Sequence, residues 1–554
     1  MNRLSSLVVL ILGTSLPSFA QVSVGGQPYS LRTGLSRADV PTVQAVPFDA
    51  KAVADEDKAR ADAGKLPMYG RMQAVGATLG DDGRWTELGN GDRLWRLRIT
   101  SPGALATELF FEDMHLPAGA VMHVYDDAGE QVYGGFTAAN NKDHGRFTTS
   151  QMMGEACTVE YYEPLASRAL GTFTIASVGH AYRFVGEAKA GDCQVDVNCA
   201  PEGTGQQAQR DGVVRVSVVE SGQLGWCSGA LVNNLEQDCK PYYLTAFHCG
   251  VGASTNDFNS WKFYFKYQRS GCGTGNASAA SSVTGCTKRA DSNDGGGNTG
   301  SDFLLLEGED AIPTNYNPYW FGWDANNLNP GPGVKCIHHP AGDEKKISTV
   351  NAIQSSSQWN GLSSQTHWRV TWAATTNGHG VTEGGSSGSP IYNSSGHIVG
   401  TLTGGSSYCN SQVPGGQNLP DFYGKMSFHW ESNGGPASDD LKNWLDPNNT
   451  GTKVMNGSYG PCGTLGLQEV AAAEAPGLAP NPTADVVRVT IPASMGDADR
   501  LEVLDLSGRL VMTVALSGRS DVQVDVQGLV PGLYMVTTVS GAMRSGAARL
   551  NIVR

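Results

Sequence analysis

No segment of this sequence reaches the roughly 18 consecutive apolar residues that a membrane-spanning helix needs, so no membrane span is expected. Positive charge is scarce. Only 39 Lys and Arg stand against 53 Asp and Glu, a formal net charge of −14, and no long basic run occurs, which argues against a nucleic-acid partner. Such an acidic surface favours solubility and adds a weak, salt-screened attraction for basic peptides. No close Cys-x-x-Cys pair is present, even near His338-His339, so the cysteines do not read as zinc ligands and no metal or other cofactor is expected. Helix signals are few, whereas short apolar runs between Gly, Asn, Ser and Pro turns are many. The fold class expected is therefore mainly β, and 554 residues predict several domains.

The chain opens with Met1-Asn2-Arg3, a short apolar core at Leu7–Leu12 and small residues at Ser18-Phe19-Ala20. That pattern is a secretory signal peptide over residues 1–20, which predicts export. Export makes the eleven cysteines legible as disulfides. Cys157 lies in the amino-terminal region; the ten that follow allow five bridges.

The stretch Gly384-Gly385-Ser386-Ser387-Gly388-Ser389-Pro390 is more than a flexible Gly/Ser run once its partners are read with it. A serine nucleophile sits on a tight turn that exposes its hydroxyl while backbone N–H groups point at the oxyanion. Ser387 is the candidate nucleophile, and the N–H groups of Gly385 and Ser387 are the candidate oxyanion donors. Upstream, Tyr242-Tyr243-Leu244-Thr245-Ala246-Phe247-His248-Cys249 is an apolar strand ending on a histidine, the candidate general base. Cys227, ahead of a second strand, could bridge Cys249 and anchor that loop. In Thr299-Gly300-Ser301-Asp302-Phe303-Leu304, Asp302 stands at the mouth of a third apolar strand, where a carboxylate can orient an imidazole and stabilise its protonated form. The chain order is His248, Asp302, Ser387.

These motifs, with Cys336-Ile337-His338-His339-Pro340 and Asp421-Phe422-Tyr423-Gly424, make the chain from Cys193 to about Leu445 resemble the bacterial lysyl endopeptidases of the chymotrypsin clan. The resemblance implies two packed six-stranded β-barrels over residues 190–460 and a closing helix near Ser438–Leu445. It implies hydrolysis of proteins and peptides after lysine by a monomer through acyl-enzyme chemistry. It also implies the pairs Cys193 with Cys409, Cys199 with Cys272 and Cys227 with Cys249, and leaves Cys239, Cys286, Cys336 and Cys462 unassigned. Thr403-Gly404-Gly405 resembles the edge that pairs with substrate backbone, and Pro420–Lys425 the strand closing the primary pocket, with Asp421 at its floor. Val381 occupies the position where trypsin carries its acid. Trp359 resembles a pocket-lining aromatic whose partner, at the position of Thr403, is histidine in the family. His338 and His339 read as structural. Ser386 stands where animal chymotrypsins carry an aspartate that binds the new amino terminus, so activation is expected to need propeptide removal alone.

Residues 21–189 read as an all-β propeptide, which resembles the lysyl endopeptidase pro-region through Ser101-Pro102-Gly103-Ala104 and Val178–Arg183; a permanently attached binding domain is the rival reading. Cleavage between Lys189 and Ala190 would free an amino terminus just before Cys193. After residue 460 an Ala/Glu/Pro/Gly-rich linker (461–479) leads to a small β-sandwich (480–554). Its Pro480-Asn481-Pro482 opening, Asp505–Arg509 turn and Gly532-Leu533-Tyr534 strand resemble the type IX secretion sorting domain, which implies the secretion machinery as partner and a secreted or cell-surface location; an adhesive or carbohydrate-binding sandwich is the rival. For the whole chain, two other functions stay open: a catalytically silent adhesin or binding protein on a protease fold, and an endopeptidase with a different preference at the first pocket.

Overall fold

The computed structural model describes residues 23–553 apart from 63–64, 184–189, 279–280, 360–364, 410–414, 434–435, 437–438, 463–474, 493–497, 506–509, 517–518 and 541–542. The signal peptide, Lys189, Ser438 and most of the Asp505–Arg509 turn lie outside the described residues. The contacts divide the chain into two units, one ending at Cys462 and one beginning at Gly463.

Two rings of strands form the part of the first unit that matters most here. In the first, Lys262–Tyr264, Val213–Glu220, Gln223–Val232, Tyr242–Thr245, Leu304–Gly308 and Cys286–Asp291 pair in that order, and Ser282–Thr284, which runs on into Cys286–Asp291, pairs back with Lys262–Tyr264. In the second, Lys335–His338, Lys346–Ser357, His367–Trp372, Asp421–Lys425, Ile398–Gly405 and Pro390–Tyr392 close on themselves. Each ring is a six-stranded antiparallel barrel, so no strand edge is left open within it. The strands are rich in β-branched and aromatic residues, and one apolar cluster joins the barrels through Leu244, Phe303, Leu305, Trp323, Ile337 and Tyr392. Val381 is buried in the core of the second barrel, beside Trp372 and Tyr423.

The amino-terminal region is built around Arg93–Thr100, Ala156–Glu163 and Val121–Tyr125 in one sheet and Met68–Thr78, Thr172–Ala181 and Ala106–His115 in another. It is not purely β: Ala50–Asp62 is a helix that sequence reading missed. Apolar and basic residues alternate along Leu94–Ile99, yet Arg96 is buried and donates to the Ser36 carbonyl at 2.9 Å, because chain ahead of the sheet covers that face. Met68–Thr78 also pairs with the start of Gln223–Val232, so this sheet runs on into the first barrel. Tyr69 stacks on Trp226 with ring centres 4.3 Å apart, and its hydroxyl lies 2.8 Å from Ser217 Oγ. Leu66, Tyr69, Ala106, Phe110 and Ala181 share one core cluster with the first barrel.

Cysteine pairing matches the sequence reading in three bridges, Cys193–Cys409, Cys199–Cys272 and Cys227–Cys249, and adds Cys239–Cys462. The expectation of five bridges is corrected to four among the described residues. Cys286 and Cys336 are free thiols in the cores of different barrels, so they have no way to meet. The bridge at Cys462 also ties residues 461–462, read from sequence as linker, to the protease barrels. The closing helix is shorter than expected, Lys442–Leu445, with Leu441 and Leu445 buried against both barrels.

In the second unit Gly477–Ala479, Val486–Thr490 and Asp521–Asp525 form one sheet, and Leu510–Ala515, Arg500–Leu504, Gly532–Ser540 and Ala548–Ile552 form the other. Alternate residues such as Val487, Val489, Val503 and Val536 point into a shared core, the pattern of a β-sandwich. Its first strand begins at Gly477, a little before the boundary read from sequence.

Candidate active site

Sequence reading put His248 at a strand end; the strand stops at Thr245 and the histidine sits on the 3-10 turn Phe247–Cys249. The Cys227–Cys249 bridge holds that turn to the neighbouring strand. Asp302 is fully buried and receives His248 twice: the backbone N–H at Oδ1, 2.9 Å away, and ring Nδ1 at Oδ2, 2.7 Å away. These contacts leave Nε2 as the nitrogen available for proton exchange. Burial pulls the pKa of His248 down, but the Asp302 charge and hydrogen bond outweigh it and leave the imidazole above its ordinary value. Asp302 holds a left-handed backbone, φ 57°, unusual for a residue other than glycine. Asp294 fixes it there, accepting the Asp302 N–H at 2.8 Å as well as the N–H groups of Gly296 and Gly297. Burial, then the nearby Asp302 charge, raises the pKa of Asp294. Nothing in its local sequence marked Asp294 as a support for the site.

Ser387 follows Ser386 on a turn between Gly385, φ 96°, and Gly388, φ 79°. A side chain at Gly388 would meet the Ala246 backbone nitrogen at 2.6 Å, so glycine is required both for the turn and for its approach to the histidine strand. The Ser387 carbonyl accepts the Ser228 N–H at 2.8 Å, and Ser228 Oγ donates to the Gly385 carbonyl at 3.0 Å. Among the described residues the N–H groups of Gly385 and Ser387 have no acceptor, the condition expected of donors kept for a developing oxyanion. Ser386 turns away from the cleft, its Oγ 2.8 Å from Nδ1 of His338, whose Nε2 lies 3.0 Å from Ser348 Oγ. Burial, reinforced by Lys346, drives the His338 pKa down to about 3, so this ring is a neutral brace. His339 is likewise tied to backbone, its Nδ1 2.8 Å from the Asp343 carbonyl.

A cleft of about 700 Å³ is lined by His248, Ser387, Trp359, Thr403, Gly404, Gly405 and Asp421, among others. Asp421 is fully buried. Its Oδ2 accepts Trp372 Nε1 at 2.7 Å, Thr382 Oγ1 at 2.6 Å and Ser407 Oγ at 2.5 Å; Oδ1 accepts the Ser407 N–H at 3.1 Å. Burial raises its pKa and these donors partly offset the rise. Among the described residues no lysine, arginine or histidine forms an ion pair with it. Trp359 packs edge-on to Phe422 with ring centres 5.6 Å apart, and a side chain on Gly404 would meet its ring at 2.9 Å. Gly405 faces Asp421 so closely that a Cβ there would overlap the carboxylate. Thr403 bonds to the buried His367, Oγ1 to Nε2 3.0 Å, and so brings an imidazole behind the position where the family histidine was missing.

Residues 187–424 match the family model described as the lysyl endopeptidase C-terminal domain. This stretch of the chain is similar to the lysyl endopeptidases. Residues 478–548 match a secretion system C-terminal sorting domain, and with it the chain is a secreted or cell-surface protein. A curated relative, the lysyl endopeptidase of Pseudomonas aeruginosa, is 27% identical over 356 residues, covering 59% of this chain and 72% of the relative. A solved structure, a thermostable serine protease from an extremophilic microorganism, aligns at 15% identity over 40% of this chain and 93% of its own, with a TM-score of 0.26. The fold assignment rests on the strand pairing of the two barrels. Buried imidazole–carboxylate pair, serine turn and free backbone donors together give this region the constellation of a serine protease.

Sequence reading missed what lies over this cleft. Arg60, Lys65, Leu66 and Pro67, from the amino-terminal region, line it together with His248 and Ser387. Leu66 is buried beside Gly225, Arg60 pairs with Glu220 at 3.4 Å, and Pro67 abuts Gly384. Ala190 is described and lies in the same unit; the other half of the expected cut, Lys189, is not described.

Proposed function

We propose that this protein is an exported serine endopeptidase that hydrolyses proteins and peptides on the carboxyl side of lysine. In this reading His248 removes the proton from Ser387 Oγ as the oxygen attacks the lysyl carbonyl carbon. The N–H groups of Gly385 and Ser387 receive the oxyanion, and the amide C–N bond breaks as the protonated His248 gives its proton to the leaving amine nitrogen. Water then hydrolyses the acyl ester on Ser387 with His248 again as base, while Asp302 orients the ring and stabilises its charge. These side chains and backbone groups account for each proton and charge in the sequence of steps.

The observation that carries lysine specificity is Asp421: a wholly buried carboxylate, held by one indole and two hydroxyl groups, without a cation of its own. A buried charge is costly unless it is paired, and a substrate ammonium entering from the cleft supplies the partner. The carboxylate comes from the strand Asp421–Lys425 rather than from position 381 and sits under hydroxyl and indole donors, a compact seat that favours a point-like ammonium over a planar guanidinium fork.

Residues 21–189 act as the propeptide. Arg60 and Lys65–Pro67 at the cleft support a covering role, and a cut between Lys189 and Ala190 by the enzyme's own specificity would begin its release. Residues 480–554 are the export address, and the protease works as a monomer. The test is digestion of an unfolded protein by the mature chain, with the cut sites read by mass spectrometry, alongside Ser387→Ala. Cuts confined to lysine in the wild type and none in the variant are expected. Normal turnover by Ser387→Ala would remove the serine mechanism, and equal cutting after arginine would remove the specificity.

A further inference from the structure

Glu383, four residues before the serine, joins two parts of the chain 192 positions apart. Its Oε2 accepts the Gly191 N–H at 3.0 Å and the Gln194 side-chain amide at 3.1 Å. Its own N–H donates to Ser386 Oγ at 3.2 Å, and its carbonyl accepts the Ser386 N–H at 2.9 Å. Ser386 is in turn braced by His338. The first residues of the protease domain are thus clamped, through one carboxylate, to the turn that carries the free N–H groups of Gly385 and Ser387. The fit is close: a Cβ on Gly191 would stand 2.9 Å from Glu383 Oε1 and would overlap Cys409, which the bridge to Cys193 holds in place.

Ala190 is the residue immediately before that clamp. Hydrolysis of the Lys189–Ala190 bond adds water across the amide, leaving a carboxylate on Lys189 and an amine on Ala190 that is largely protonated at neutral pH, since a free α-amino group has a pKa near 8. The bond is broken one residue from the N–H that Glu383 already holds. An exposed loop carboxylate would be a bland feature; this one bonds the domain's first residues with its side chain and the oxyanion turn with its main chain.

We propose that Glu383 is a positioning residue which ties the freed amino terminus at Ala190 to the oxyanion turn, so that cutting after Lys189 tightens the turn as well as releasing what covers the cleft. This rests on the serine endopeptidase reading above. It also replaces the expectation, drawn from Ser386, that the new amino terminus plays no part.

The test uses full-length precursors carrying Glu383→Gln or Glu383→Ala, matured by a trace of added wild-type enzyme so that slow self-cutting does not intervene, with the new amino terminus verified by mass spectrometry. Three quantities are compared with wild type: kcat and KM on a lysyl amide, inhibition by a lysyl aldehyde, which forms an oxyanion adduct on the serine, and inhibition by butylamine, which fills only the pocket. Both variants should lose about tenfold or more in kcat, with aldehyde affinity falling in step and with KM and butylamine affinity within about twofold. Gly191→Ala leaves Glu383 intact but forces the segment off it; it should show the same pattern and serves where a Glu383 variant does not fold. Unchanged kcat in Glu383→Gln overturns the proposal. So does a loss confined to KM and butylamine affinity, which would make Glu383 a wall of the lysine pocket. A wild type inert on the amide sinks the underlying reading and this proposal with it, whereas an active wild type with unaffected variants overturns this proposal alone.

Discussion

The two barrels each bury one carboxylate beside the site, and they do so differently. In the first, Asp302 has a resident partner, His248, bonded through both its backbone N–H and its ring. In the second, Asp421 is equally buried, but its donors are an indole, two hydroxyls and a backbone N–H, all neutral. Neutral donors can solvate a carboxylate without cancelling its charge. One carboxylate therefore has a resident partner that can carry positive charge; the other is held by neutral donors alone.

The largest effect is expected at Asp302. Asp302→Asn keeps the shape but removes the charge and the acceptor that set the ring's tautomer, and kcat on a lysyl amide should fall by about 10⁴-fold. Turnover within tenfold of wild type would mean the resident pair is only structural. Asp421→Asn removes charge at nearly constant volume. Seating a lysine ammonium without its partner costs about 3 to 5 kcal/mol, a hundredfold or more in kcat/KM. Hydrolysis of an activated ester lacking lysine should survive, because the other carboxylate and its partner are untouched. Undiminished lysyl cleavage by this variant would take Asp421 out of the pocket.

pH separates the two carboxylates more finely. His248 must be neutral to act as base, and its pKa is raised, so activity should climb as pH rises through a midpoint above the ordinary imidazole value of about 6.5. A midpoint below that value in the pH profile of kcat/KM would contradict the Asp302 contact. The smallest effect is expected at Thr403→Val, which strips the hydroxyl from buried His367. One lost hydrogen bond corresponds to about 1 kcal/mol, a slightly lower Tm. A larger fall in kcat than in stability would show that His367 matters to the chemistry.

What could be read from sequence was contiguous. His248, Asp302 and Ser387 each lie in a short motif in which an apolar strand meets a turn, and that signal survives without knowledge of the fold. Asp421 needed the family resemblance, since nothing in a Pro-Asp-Phe-Tyr run announces burial. Asp294, Glu383, His367 and the Arg60–Pro67 segment were not legible as parts of the site. Their roles come from contacts across the fold, such as the 192-residue separation between Glu383 and Gly191, and a polar residue in a loop reads the same whether or not its partner exists. The amino-terminal helix Ala50–Asp62 escaped because its composition is mostly Ala and charge, without an apolar stripe. The fifth disulfide failed on parity: an even count permits full pairing but does not bring Cys286 and Cys336 out of separate cores.

The overlapping long loops closed by Cys193–Cys409 and Cys239–Cys462 leave no peptide bond between Cys193 and Cys462 outside a covalent ring. A protease is surrounded by copies of itself that are also potential substrates. A first accidental nick in this domain cannot shed a fragment; both sides stay joined through sulfur, packed in the same cores. Self-destruction becomes a matter of at least two cuts before material is lost, and a singly nicked molecule can go on working. The staples thus act less as reinforcement of the intact fold than as insurance for the damaged one.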